Sequence, residues 1–138
     1  MPPRLEVRSS LIHRQGCFAA EPLPAGTRLR AYTGELITTA EARVREADPT
    51  RPGIYTFWID DDWAIDGWIG GNESIYINHA CSPNCHCVRE GQQLFIHASR
   101  DIALDEELTL DYAYDPKTPL EPCACGSAQC RGYINEVV

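Results

Sequence analysis

The 138-residue sequence has no long apolar run, no excess of positive charge, no internal repeat and no low-complexity segment. Its apolar stretches fall well short of the roughly 20 residues that cross a bilayer, so no transmembrane helix and no membrane association are expected. Met1-Pro2-Pro3-Arg4 leads into mixed polar residues without the apolar stretch of a leader peptide, so no secretory signal is expected. Twelve basic side chains face 20 acidic ones, a net charge of −8, which disfavours direct binding to a polyanion such as DNA or RNA. The same charge suits a cationic partner such as a lysine-rich peptide, and it also serves solubility. Gly67, Gly70 and Gly71 lie close together but lack the spacing of a phosphate-binding loop, so they read as turn residues. A basic import cluster is also missing.

What is present reads as one domain with one core, of ordinary apolar (43%) and charged (23%) content. Short strands are separated by glycine, proline and acidic turns. Residues 27–32 predict a strand. Thr38 and Glu41 form a capping-box pair ahead of a helix over 40–47, which Asp48-Pro49 stops. Residues 55–59 and 63–66 flank Asp60-Asp61-Asp62 as a hairpin, and residues 87–89 and 93–97 flank a second turn. The alternation over 108–112 predicts a half-buried strand. Pro116, Pro119 and Pro122 form a stiff connector to the tail.

That tail is the densest chemical feature. Three of the seven cysteines, Cys123, Cys125 and Cys130, fall within eight residues. Soft ligands at this density suit a tetrahedral zinc ion, which needs a fourth ligand from elsewhere. An odd cysteine count and no export signal favour a reducing compartment over a disulfide framework. Cys17, Cys85 and Cys87 read as ordinary small side chains.

The run Tyr76-Ile77-Asn78-His79-Ala80-Cys81-Ser82-Pro83-Asn84-Cys85 gathers an amide, an imidazole and two thiols around a proline turn. Such a loop has much to hydrogen-bond and little to bury, so it reads as a binding loop. It resembles the Asn-His-Ser-Cys-x-Pro-Asn signature of SET-domain protein lysine methyltransferases. Other stretches match that family in order: Gly16-Cys17-Phe18-Ala19, Tyr32-Thr33-Gly34-Glu35, Glu106-Glu107-Leu108-Thr109-Leu110-Asp111-Tyr112 and the tail CACGSAQC before Arg131-Gly132. The resemblance runs from about Glu6 to Asn135.

The resemblance implies a mainly β fold, the SET β-clip of several small sheets with short helices and a knot-like C-terminal crossing. Residues 5–115 would form the catalytic domain and residues 116–138 a post-SET zinc tail. It implies S-adenosylmethionine as methyl donor and one structural Zn2+ held by Cys81, Cys123, Cys125 and Cys130. Tyr112 and Tyr32 are the catalytic candidates. Arg14, Gly16, Cys17, Phe18, Tyr55, Asn78, His79, Tyr112, Tyr133 and Ile134 are the cofactor-binding candidates. Phe57, Leu110 and Tyr114 would wall the lysine channel, where burial helps deliver a neutral amine. Leu110, two residues before Tyr112, carries no hydroxyl, which implies methylation beyond one methyl.

The sequence also departs from the family pattern. Arg14 stands at a glycine position, tolerable at negative φ, and could pair with the cofactor carboxylate. Ile75 stands where relatives carry arginine. The implied partner is a lysine-containing basic protein such as a histone, met by a monomer inside the cell: cytoplasmic, nuclear in a eukaryote, or delivered into a host. The alternative is a SET-like module that binds a lysine-rich segment with little or no turnover.

Overall fold

The computed structural model describes residues 2–12, 14–51, 55–112 and 130. The expectations for Tyr114, Cys123, Cys125, Tyr133, Ile134 and the proline connector lie outside these residues.

The chain opens with an antiparallel pair, β1 (Leu5–Ser9) and β2 (Gln15–Ala19). Then come β3 (Arg28–Ala31), β4 (Glu35–Thr38) and the helix α1 (Thr39–Glu46). The hairpin β5 (Thr56–Trp58) and β6 (Trp63–Asp66) leads through a 3-10 turn (Glu73–Tyr76) into β7 (Asn78–His79). A second hairpin, β8 (Cys85–Glu90) and β9 (Gln93–Ala98), precedes β10 (Thr109–Leu110). Two sheets have three strands, in the orders β4-β6-β5 and β3-β9-β8, and β10 pairs in parallel with β7. The described residues therefore form the mainly β arrangement of small sheets with one short α-helix that the resemblance implies.

Local chemistry sets the boundaries. Thr38 caps α1 by accepting the Glu41 N–H at 3.2 Å, the reading made from its spacing. The helix lays Ala42 against Ile37 and Ala64, a small core separate from the main one. Asp60 Oδ1 accepts the N–H groups of Asp62 and Trp63, both at 2.8 Å, and so fixes the β5–β6 turn. β5 starts after Tyr55, whose carbonyl instead accepts from the Tyr32 hydroxyl (2.6 Å) and the Gly67 N–H (2.9 Å).

The expected half-buried strand over 108–112 is corrected. The ladder is two residues long, and Leu108, Thr109 and Leu110 are all buried. Thr109 is polar yet inside because Asn84 satisfies it: the Thr109 N–H donates to Asn84 Oδ1 at 2.8 Å, and Thr109 Oγ1 accepts the Asn84 N–H at 3.1 Å. Ile77, Ile96, Ile102 and Leu108 centre the main core, directly behind β7 and β10.

Candidate functional site

The β7–β10 ladder places Asn78 opposite Thr109 and His79 opposite Leu110. The Ala80 N–H donates to the Leu110 carbonyl at 3.0 Å and extends the pairing. Two residues beyond β10, Tyr112 bonds back to the ladder. Its N–H donates to His79 Nδ1 at 3.0 Å, and its hydroxyl donates to the Ile77 carbonyl. Because His79 Nδ1 accepts, a neutral ring carries its proton on Nε2, which lies 3.5 Å from Cys81 Sγ. Residues far apart in sequence, the Asn-His pair and Tyr112, are thus locked together.

One side of this ladder is a wall of rings. Tyr32 and Phe57 meet edge-on at 4.5 Å, Phe57 and Tyr112 at 5.7 Å, and His79 and Tyr112 at 5.5 Å. Beside them opens a largely apolar hollow of about 260 Å3, lined in part by Phe57, Trp58, Cys87, Leu94, Leu110 and Tyr112. Of the four described residues singled out for the channel or its catalytic end, Phe57, Leu110 and Tyr112 share this hollow, and Tyr32 stands beside it against Phe57. It lies between the edge strands β5 and β8 of the two three-stranded sheets.

Sequence reasoning missed what supports the wall. Trp68 stacks on Tyr55 at 4.9 Å with the rings 17° apart, and 43% of Trp68 remains exposed. Its N–H donates to Asp66 Oδ1 at 3.0 Å. Asp66 is fully buried and also pairs with Arg45 (2.9 Å) and Arg51 (3.0 Å). Burial by itself would raise the Asp66 pKa. Hydrogen bonds from Arg45, the Trp68 N–H and Arg51 outweigh it and hold the carboxyl below its ordinary range. An aspartate at the end of a strand reads as a turn residue; only the fold brings its two arginines to it.

The other side of the ladder is polar. Asn78 Nδ2 donates to the Gln15 carbonyl and to Glu107 Oε2, both at 2.9 Å. Ser10 Oγ donates to both Glu107 oxygens, at 2.8 and 2.9 Å. Glu107 takes the room that Gly16 leaves: a Cβ there would meet Glu107 Oε2, with Glu107 Cδ at 2.9 Å and Ser10 Cβ at 3.0 Å. The constraint on Gly16 seen here is therefore internal, whereas the resemblance made it a cofactor-binding candidate.

The condition placed on Arg14 is not met. Its φ is +23°, so it keeps a glycine-like backbone while carrying a side chain. Among the described residues no carboxylate or ring partners its guanidinium. Cys17 points into the core, and burial pushes its thiol up to about 12. Burial likewise raises the Cys85 thiol to about 12, so both read as packing residues. Phe18 lies half-buried under the Arg8 guanidinium, 5.3 Å from the ring centroid. Ile75 packs against the main core.

At the end of the Asn-His loop, Cys81 Sγ lies 4.0 Å from Cys130 Sγ, well beyond the length of a disulfide bond. Among the described residues no cluster of three or more His, Cys, Asp or Glu side chains stands ready for a metal ion.

The SET domain family matches residues 14–113, a span holding the ring wall, the Asn-His ladder and Glu107. The chain belongs to the SET-domain family. It is 39% identical over 139 residues to a histone-lysine N-methyltransferase, H3 lysine-4 specific, of Schizosaccharomyces pombe, covering 96% of this chain and 15% of that protein. It is 38% identical over 135 residues to the H3 lysine-4 specific enzyme of Yarrowia lipolytica, covering 91% of this chain and 12% of that one. Histone-lysine N-methyltransferase SETD1A of Homo sapiens is 35% identical over 139 residues, covering 96% of this chain and 8% of the human protein. The chain therefore spans a small fraction of these relatives' length.

Proposed function

We propose that this SET domain is a protein lysine N-methyltransferase that transfers methyl groups from S-adenosylmethionine to a lysine side-chain amine. The observation that carries this reading is Tyr112, locked by His79 and Ile77 at the junction of the polar face and the ring wall. The residues suit the methyl donor: the polar face offers amide and carboxylate groups to an amino-acid moiety, and the Tyr112 hydroxyl and Ile77 carbonyl offer oxygens beside the rings. S-adenosylmethionine supplies an activated methyl on sulfonium sulfur. That methyl would pass to the neutral lysine nitrogen, leaving sulfur as a thioether, and the extra proton of the product would go to solvent.

The protein's own groups prepare this displacement. The rings of Tyr32, Phe57 and Tyr112 exclude water and disfavour the ammonium form, so the amine arrives with its lone pair. The Tyr112 oxygen orients that lone pair, and positioning of this kind supplies much of the barrier reduction. Leu110 offers no hydroxyl to hold a water against the amine, which leaves room for more than one methyl. The substrate is a basic protein segment, for which the relatives' histone H3 lysine 4 is the first candidate, and the protein acts inside the cell. Arg14 at positive φ and a core Ile75 favour a second reading, a module that binds a lysine-rich segment with weak turnover.

Cys81 and Cys130 fit a structural zinc site. A Zn–S distance of about 2.3 Å places tetrahedral sulfurs about 3.8 Å apart, close to the separation seen; a disulfide would need about 2.05 Å. Cys123 and Cys125 would complete the set, clamping residues 116–138 near the Asn-His loop. Tyr133 and Ile134 would then cover the cofactor and Tyr114 the substrate side.

The deciding experiment incubates the protein with isotope-labelled S-adenosylmethionine, mixed histones and cell lysate. Label on lysine, lost in Tyr112→Phe, supports the enzyme. Binding of a lysine-rich peptide without cofactor binding supports the module. Chelation is expected to abolish transfer while most β circular dichroism survives; full activity of a zinc-free preparation excludes the clamp.

A further inference from the structure

The polar face contains a carboxylate to which the sequence reading gave no role of its own. Glu107 stands five residues before Tyr112, within the Glu106–Tyr112 motif, with nothing in the local pattern to turn it towards the interior. It is instead folded inward between β2 and β7, in the space left by the missing Cβ of Gly16. Its two oxygens hold the Ser10 hydroxyl, and one of them also holds the Asn78 amide nitrogen.

The chemistry of these partners is one-sided. A carboxylate accepts hydrogen bonds and cannot donate, and the Gln15 carbonyl likewise only accepts. Asn78 carries an oxygen and a nitrogen at nearly equivalent positions. Turning its amide over would set the oxygen against two acceptors, one of them charged. Among the described residues these two acceptors favour one orientation of the Asn78 amide, with Ser10 Oγ a longer third contact at 3.3 Å, and Glu107 is the charged, stronger one. The Gly16 backbone makes this possible, because any Cβ there would push the carboxylate away.

We infer that Glu107 is a positioning residue for cofactor binding: from the space opened by Gly16, it sets which end of the Asn78 amide is presented to the cofactor. This inference rests on the proposed S-adenosylmethionine reading. It predicts an effect on cofactor affinity separate from chemistry, because Glu107 acts through Asn78 and Tyr112 is held by other groups.

The test measures S-adenosylmethionine affinity by calorimetry, thermal unfolding, and kcat and cofactor KM on the full chain. Glu107→Gln keeps the shape but offers an amide that can tolerate either orientation of Asn78. It is expected to melt near wild type, bind cofactor about tenfold more weakly, and keep kcat at saturating cofactor within about twofold. Ser10→Ala, which removes one support of the carboxylate, is expected to weaken binding by about two- to threefold. Gly16→Ala is expected to lose both melting temperature and affinity. Adding Glu107→Ala to it should restore the melting temperature but not the affinity. Wild-type cofactor affinity in Glu107→Gln overturns the inference, as does a loss of kcat with affinity intact. If Glu107→Gln unfolds, wild-type affinity in Ser10→Ala overturns it. A wild-type protein that binds no S-adenosylmethionine overturns the cofactor reading itself, and the inference with it.

Discussion

The two faces of the β7–β10 ladder are built by opposite means. Towards β2, four polar groups hold one another through directional bonds of 2.8–2.9 Å. Towards β5 and β8, rings meet at centroid distances of 4.5–5.7 Å around an apolar hollow. Directional bonds specify orientation, and losing one partner strands another. Ring contacts specify shape, and removing one ring costs area while its neighbours stay satisfied. The polar face is suited to holding a molecule in one pose, the ring face to admitting a slender side chain and excluding water.

The largest break in this comparison comes from Tyr112, which joins the ring face and is tied to the ladder by His79 and Ile77. Tyr112→Phe is expected to lower kcat by about 100-fold or more, the scale of losing one transition-state contact, with cofactor affinity within about twofold. Equal losses in both would place the hydroxyl in binding instead. Asp66→Asn comes next, because it removes the ionic support behind the rings. It should cost about 2–3 kcal/mol in denaturant unfolding, since two arginines lose a buried partner. Its folded pKa is depressed, so its contribution is present above about pH 4 and is lost as pH falls through the depressed value. The variant's acid unfolding limb should therefore be flatter than wild type. An unchanged acid limb would show that this charge cluster adds nothing.

Phe57→Ala should cost about 1–2 kcal/mol, less than a fully buried ring, because Phe57 is half-buried. Lysine-peptide KM should rise, with cofactor affinity unchanged; a matching fall in cofactor affinity would erase the distinction between the faces. Arg14→Gly is the smallest effect. Relief at φ +23° should raise the melting temperature slightly, and loss of the guanidinium should weaken cofactor binding by two- to fivefold. Unaltered binding would remove Arg14 from the cofactor-binding candidates.

Much of this was legible in the sequence where the signal is local. The Thr38 cap with α1 and the strand over Trp63–Asp66 follow from side chains within a few residues of one another. Phe57, Leu110 and Tyr112 were legible through family resemblance, and the fold brings them to one hollow. Glu107 and Asp66 were not legible, because each is an acid whose inward orientation depends on partners from distant segments. Thr109 misled for the same reason: its burial depends on Asn84, 25 residues earlier. Alternation of polar and apolar residues measures exposure only when polar groups go unpaired, and here they are paired. Trp68 was hidden among glycines that read as a turn.

The parallel ladder of only two residues carries a consequence for the order of folding. Ser10, Asn78 and Glu107 meet across separations of 29 to 97 residues. Each local hairpin can close early, whereas this junction must wait for nearly the entire chain, since long loops close late. This junction is then the last part to acquire its native contacts. We expect the near-ultraviolet signal of Tyr112 to lag the β circular dichroism in stopped-flow refolding, and a chain released before residue 112 to have sheets but no centre. The junction would thus report completion of folding: the protein becomes competent only as its distant segments finally meet.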